Sequence, residues 1–226
     1  MSAKRTIERK SLPEVIADDL RERILNGDMT EGEVIRQEAL AEEYGVSRMP
    51  IREALKRLDA EGLVVLTNNR GASVTKHSLE EIGEIFDLRS LIEADLFRRS
   101  IPLMTTLDFM RCADILTEME SSLDADVIDR WGALNYQFHS ALYARADRKL
   151  TNELLHRIGT QSDRYVRMHL SLAGQKDNAK QEHRELLRLA EARDVDQACA
   201  LLQKHIDVTK QNLLTLIADK RAAESK

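Results

Sequence analysis

The chain has 226 residues, of which 42% are hydrophobic, 32% charged and only 4% aromatic, a globular mix that excludes a disordered protein and favours helices over sheets. No apolar run approaches the roughly 20 residues that span a bilayer, which excludes a membrane-spanning helix, and no membrane partner is expected. The net charge of −5 argues, taken alone, against a nucleic-acid binder.

Ser11-Leu12-Pro13-Glu14 reads as a capping box with proline in the first helical turn. Val15, Ile16, Leu20, Ile24 and Leu25 follow at helical spacing, and Gly27 closes this first helix. Asp28 to Glu33 is a turn-rich loop, and Val34-Ile35 a short strand. A second helix spans Gln37 to Tyr44 and stops at Gly45. Ser47 opens a third helix that tolerates Pro50 near its start, with Ile51, Ala54, Leu55 and Leu58 on one face and Gly62 as the stop. Leu63 to Leu66 is a strand, Thr67 to Gly71 a hairpin turn, and Ala72 to Thr75 the returning strand. Three helices and a hairpin in this order predict a winged helix-turn-helix DNA-binding domain over residues 1–76.

The charge distribution agrees. Residues 44–76 hold six Lys or Arg against three acidic residues, a local positive patch. Arg48, Met49, Arg52 and Lys56 lie on the outward side of the third helix. Arg48 and Arg52 are four apart and share a face near the helix N-terminus, the end that enters the major groove in this motif class. Arginine is also the commonest partner for bidentate contact to guanine. Arg70 in the wing reaches toward the backbone or minor groove, and Gly71 lets the turn approach closely.

Ser78-Leu79-Glu80-Glu81 is a second capping box, which leaves Thr75 to His77 as the linker and opens a second domain, residues 77–226. No convincing strand follows. Helical stripes fall at about 79–100, 103–121, 124–145, 148–171, 177–192 and 194–219, which predict an all-α helical bundle. Asp219 to Lys226 are expected to fray. His139, His183 and His205 lie on apolar helical faces, and Asn135 sits one turn before His139. Three imidazoles and one amide oxygen from three helices suit one divalent cation, whereas each histidine alone also suits a hydrogen-bonded core residue. Arg89 interrupts the apolar stripe Ile82, Ile85, Phe86, Ile92, Leu96. A buried charge needs a partner: either Glu93 one turn on, or an effector carboxylate. Arg164 is a second effector candidate, and His156 and His169 read as structural or surface residues. Cys112 and Cys199 match no metal or redox spacing. Met1 to Lys10 lack the apolar core of a secretion signal, so a cytoplasmic location is expected.

The run from Gln37 to Leu58, with Val46-Ser47-Arg48-Met49-Pro50-Ile51-Arg52-Glu53-Ala54-Leu55 at its centre and Glu61-Gly62-Leu63 after it, resembles the GntR family of bacterial regulators. That resemblance implies operator contacts from Arg36, Arg48, Arg52 and Gly71, with Met49 where a threonine is often found. Asn135-x-x-Phe138-His139, Glu182-His183-Arg184 and His205-Ile206 resemble the FCD sensor domain of the fatty-acid-regulator branch, over about residues 79–219. Asp87-Leu88-Arg89-x-x-Ile92-Glu93 resembles its first helix, where such an arginine recurs. The resemblance implies a metal held by Asn135, His139, His183 and His205. Asn135 in place of the commoner aspartate removes one negative charge from that set.

Zinc is the first choice on ligand type, with nickel or manganese as alternatives. The expectation is a homodimeric, non-enzymatic regulator bound to a near-palindromic double-stranded DNA operator, acting as a repressor and modulated by a small organic acid at Arg89 and the metal. Two rivals stand beside it. A hydrolytic metal domain lacks any His-Glu-x-x-His signal, and a ligand-free dimerisation module predicts ordinary apolar residues at Arg89, His139, His183 and His205.

Overall fold

The computed structural model describes residues 10–67, 71–125, 127–170 and 175–224. The chain divides between Lys76 and His77 into two compact units.

The first unit runs α1 (Leu12–Asn26), β1 (Val34–Ile35), α2 (Gln37–Glu43), α3 (Arg48–Glu61), β2 (Val64–Thr67) and β3 (Gly71–Val74). α1 starts where it does because the Glu14 carboxylate folds back 2.8 Å onto the Ser11 N–H. That contact satisfies a donor which a helix start leaves orphaned. Ile16, Leu20 and Ile24 of α1 share one core with Ile51, Leu55 and Leu58 of α3, each 2% exposed or less. Burial of such side chains stabilises by about 1.5–3 kcal/mol apiece. The polar side of α3 is thereby held outward.

The strands form an antiparallel sheet in the order β1-β3-β2. Ile35 pairs with Ala72, and Thr67 with Gly71. The last pairing draws Gly71 into the ladder, so β3 begins one residue earlier than the apolar pattern suggests. Gly71 has φ +121°, and a Cβ there would stand 2.1 Å from the Ile35 carbonyl oxygen. Only glycine lets the hairpin lie this close to the start of α2. This is the winged helix-turn-helix arrangement expected from the sequence.

The second unit contains α4 (Leu79–Ser100), α5 (Thr106–Asp124), α6 (Ile128–Tyr143), α7 (Lys149–Leu170), α8 (Gln175–Glu191) and α9 (Val195–Glu224), with no strand among its described residues. α4 is capped reciprocally: the Ser78 N–H donates to Glu81 at 2.7 Å, and the Glu81 N–H to the Ser78 hydroxyl at 3.1 Å. Phe86, Phe97 and Phe138 are fully buried at the centre of the bundle. The expected fraying from Asp219 is not what the structure has, since α9 stays helical to Glu224. Leu213 and Ile217 anchor its second half in the core, and Arg221 donates to the His77 carbonyl at 2.7 Å. At Gly132 on α6, a Cβ would lie 2.5 Å from Nε of Arg167 on α7. The missing side chain makes room for a buried guanidinium, which pairs with Asp163 at 2.9 Å.

Candidate functional site

The first unit gathers an exposed basic surface. Arg48, Met49 and Arg52 are exposed on the first two turns of α3, because Ile51, Ala54 and Leu55 occupy the opposite face. Arg48 pairs with Glu38 of α2 at 2.9 Å, which joins the beginnings of the two helices. Arg36 is exposed at the N-cap of α2, and its backbone is part of the surface against which Gly71 closes. Arg36, Arg48 and Gly71 are thus linked through α2, and Arg52 stands one turn after Arg48 on α3, against Met49 at 3.3 Å. Arg70 lies outside the described residues. Among the described residues Arg48 and Arg52 form no buried salt bridge, and both side chains are exposed, open to phosphate or base edges.

The second unit brings three histidines together inside the bundle. One ring nitrogen from each of His139 (α6), His183 (α8) and His205 (α9) lies within 4.8 Å of the other two. Their outer partners fix the tautomers. His183 Nδ1 is 2.5 Å from the Ala179 carbonyl oxygen, which can only accept, so the proton sits on Nδ1. His205 Nδ1 is 2.5 Å from the Glu182 carboxylate, with the same consequence. His139 Nδ1 is 2.9 Å from the Tyr143 hydroxyl oxygen, which itself donates to Glu93 at 2.6 Å and so accepts from His139. Burial beside the Glu93 carboxylate pushes the Tyr143 phenol well up, which keeps its proton in place. Burial, reinforced by the neighbouring imidazoles, pushes His139 well below its ordinary value and His183 down to about 3.

His139 and His183 are therefore neutral, with Nε2 lone pairs turned inward. His139 Nε2 and His183 Nε2 are only 3.3 Å apart. Two lone pairs at that distance repel, and a cation between them removes the conflict. Two nitrogens held at about 2.05 Å by a tetrahedral cation are themselves about 3.3 Å apart. The amide oxygen of Asn135 is buried in the same region without a hydrogen-bond partner among the described residues. A buried carbonyl oxygen left unpaired costs about 1–3 kcal/mol, and a metal ligand position would relieve it. The donor set fits a divalent cation, with each imidazole tied from outside as metal-ligating histidines are.

A cavity of about 50 Å³ opens beside the triad, lined by Arg89, Asn135, His139 and His205 among others. A second, of about 30 Å³, shares Arg89, Asn135 and His139 with it and adds Ser140, Ser162 and Asp163. Arg89 is 8% exposed and borders both. Its Nε donates to Glu93 at 2.7 Å, and its guanidinium carbon lies 5.3 Å from the centre of the Phe86 ring. The two sequence readings of Arg89 are compatible: an internal partner holds it, and it still borders the cavities.

Arg164 lines neither cavity. On α7 it is about 200° around the helix from Ser162 and from Val166, which do. Its Nε and Nη1 are nevertheless buried without a hydrogen-bond partner among the described residues. His169, read from sequence as structural or surface, is buried and lines the larger cavity, as does Trp131. His156 is exposed and pairs with Tyr136 at 2.6 Å. Tyr143 and Glu182 had no sequence-derived role. Tyr143 stands one turn after His139, and Glu182 directly before His183, so spacing alone marks them as neighbours of the ligands.

Residues 12–74 match the bacterial regulatory proteins of the gntR family, and residues 84–208 match the FCD domain. The chain is 27% identical over 195 residues to the HTH-type transcriptional repressor GlaR of Escherichia coli (strain K12), covering 83% of this chain and 89% of that protein. It is 31% identical over 132 residues to the gluconate operon transcriptional repressor of Bacillus subtilis (strain 168), covering 58% of this chain and 54% of that one. A solved structure of a GntR-family transcriptional regulator from Pseudomonas syringae pv. tomato str. DC3000 aligns with a TM-score of 0.55 at 33% identity, over 92% of this chain and 88% of its own.

Proposed function

The chain belongs to the GntR family of bacterial transcription regulators and carries an FCD domain, and from that premise we propose that it is a dimeric repressor whose operator affinity is set by a small organic acid bound at a metal site in the second unit. The observation that carries the metal reading is the convergence of three outward-tethered imidazoles beside a cavity that Asn135, whose amide oxygen is buried without a partner among the described residues, also lines. Arg89 at the wall of the same cavity supports the acid reading.

Asn135, His139, His183 and His205 would hold the cation, with zinc first on ligand type. When bound, it supplies a positive centre with open positions for carboxylate oxygen. The four ligands are neutral, so the cation's charge is balanced only from outside the ligand set, by Glu93 and Glu182 behind the histidines. Arg89 adds a second positive group, oriented by Glu93, so an anion with oxygen donors is favoured over a neutral or cationic ligand. The gluconate named for one relative is a carboxylate of this kind. On the DNA side, Arg48 and Arg52 read base edges, while Arg36 and the wing at Arg70 and Gly71 position the phosphate backbone. Two copies related by two-fold symmetry require a near-palindromic operator. Acid binding alters operator affinity only through unequal affinity for two conformations. Its route is α4, which carries Arg89 and begins directly after the Thr75 to His77 connection.

The test is a titration of organic acids against the operator complex, in metal-loaded and chelator-treated protein, with wild type and Arg89→Ala compared. An acid should release DNA from the loaded wild type. Arg89→Ala should keep operator affinity but respond only at much higher acid concentration. Response to a neutral sugar or an amine alone, or an unaltered response in Arg89→Ala, refutes the acid mechanism.

A further inference from the structure

We infer that Glu93, acting through Tyr143, is the positioning residue that fixes the tautomer and donor strength of His139, and that the same carboxylate orients Arg89. The inference rests on the metal reading above. It comes from one continuous buried chain of hydrogen bonds. The two carboxylate oxygens of Glu93 are used separately: Oε1 accepts from Arg89 Nε at 2.7 Å, and Oε2 accepts from the Tyr143 hydroxyl at 2.6 Å. The Tyr143 oxygen then accepts from His139 Nδ1 at 2.9 Å. Arg89, Glu93, Tyr143 and His139 are 8%, 2%, 2% and 5% exposed, so bulk water does not compete for these groups.

The chain is built from two helical steps and one crossing. Arg89 and Glu93 are four apart on α4, and His139 and Tyr143 four apart on α6, so each pair shares a face. The Tyr143-to-Glu93 bond joins the two helices. Glu93 also stands 3.5 Å from His139 Nδ1, close enough for its negative charge to stabilise a proton on Nδ1 rather than on Nε2. Two consequences follow for His139. Its Nε2 lone pair is held toward His183 and His205, and the nearby anion makes it a stronger donor to a cation. His183 and His205 have their own tethers on α8 and α9, through Ala179 and Glu182. Only His139 depends on a residue that also touches the arginine at the cavity wall.

The test uses the full-length protein, zinc alone as probe, and two near-isosteric variants. Tyr143→Phe removes the link and keeps the ring, whose edge packs on Phe97 with centroids 5.9 Å apart. Glu93→Gln keeps the shape but loses the charge and one accepting oxygen. Zinc affinity is read by competition with a chelating dye. Imidazole tautomers of the metal-free protein are read by long-range ¹H–¹⁵N NMR on histidine-labelled samples. We expect zinc to bind either variant about 10–100-fold more weakly than wild type. In Tyr143→Phe the His139 signal should move from the Nδ1–H form toward a mixture, while His183 and His205 keep theirs. Tyr44→Phe, which removes a hydroxyl in the first unit that donates to Asp19, should match wild type. If wild type binds zinc and Tyr143→Phe binds it within about twofold with an unmoved His139 tautomer, the brace is overturned and the metal site stands. If wild type binds no zinc, both readings fall together. Should Glu93→Gln fail to fold, Tyr143→Phe decides.

Discussion

Chelation should destabilise this protein, and His183→Ala should abolish that sensitivity. The ligands lie on α6, α8 and α9, with His139 and His183 alone separated by 44 residues. The unfolded chain does not assemble such a site, so metal binds the folded state almost exclusively. With free zinc 100-fold above its dissociation constant, the stabilisation is about 2.7 kcal/mol. For chains of 150–250 residues each kcal/mol moves the melting point by about 2–4 °C, so a chelator should lower Tm by about 5–11 °C. His183 is fully buried, with its ring edge-on to Phe138 and Trp131. His183→Ala therefore also leaves a cavity, and its metal-free form should melt below metal-free wild type. The diagnostic quantity is the difference made by the chelator within each protein, followed by calorimetry. A wild-type shift under about 2 °C at saturating zinc, or an equal shift in His183→Ala, would refute the reasoning, because the stabilisation would then not come from this triad.

The metal-free protein should also lose stability as pH falls from about 6.5 to 5.5. His139 and His183 are held neutral by burial, while the unfolded imidazoles protonate near pH 6.5. The unfolded state binds more protons in this window, and stability drops by about 1.0 kcal/mol per histidine between pH 6.5 and 5.5. Denaturant melts across that range should show a shallower pH slope in His183→Ala, and equal slopes would count against neutral burial. Arg52→Ala should weaken operator binding by about 1–3 kcal/mol and relax preference at a single base position, read by binding to operator variants. A uniform loss across all sequences would reassign Arg52 to phosphate. Gly71→Ala should unfold or displace the hairpin, since its Cβ meets the Ile35 carbonyl at 2.1 Å. Operator affinity and the melting of the first unit should fall together, and unchanged values for both would contradict the close approach.

The helix starts at Ser11 and Ser78 were legible because capping is local, with donor, acceptor and spacing inside four residues. The face of α3 was legible because one apolar stripe fixes the opposite side. Arg89 stood out as a charge in an apolar stripe, and the histidines as imidazoles in others. The missed features share a different character. Tyr143 in a helical stripe looks like any core aromatic until Glu93, 50 residues earlier in the chain, is found against its hydroxyl. The unpaired oxygen of Asn135 depends on what the other helices fail to offer. α7, by contrast, carries an apolar stripe through Leu155, Ile158, Tyr165 and Val166, and His169 stands one turn further along it, so its buried place was open to the same reading that picked out the other histidines. The end of α9 was misjudged because its anchor is the His77 carbonyl, 144 residues away in sequence.

α9 is one uninterrupted helix of 30 residues, a rod about 45 Å long at about 1.5 Å per residue. His205 lies a third of the way along it. Arg221 lies sixteen residues further on (205 to 221), about 24 Å away along the axis. The helix is therefore a lever arm with a histidine of the triad at its pivot. A tilt of one degree at His205 carries the backbone at Arg221 through about 0.4 Å. The 2.7 Å bond from Arg221 to the His77 carbonyl belongs to a class whose good geometry spans only about 0.5 Å. A ring adjustment too small to reshape the cavity is thus magnified to the full working range of a hydrogen bond on the residue where the second unit begins.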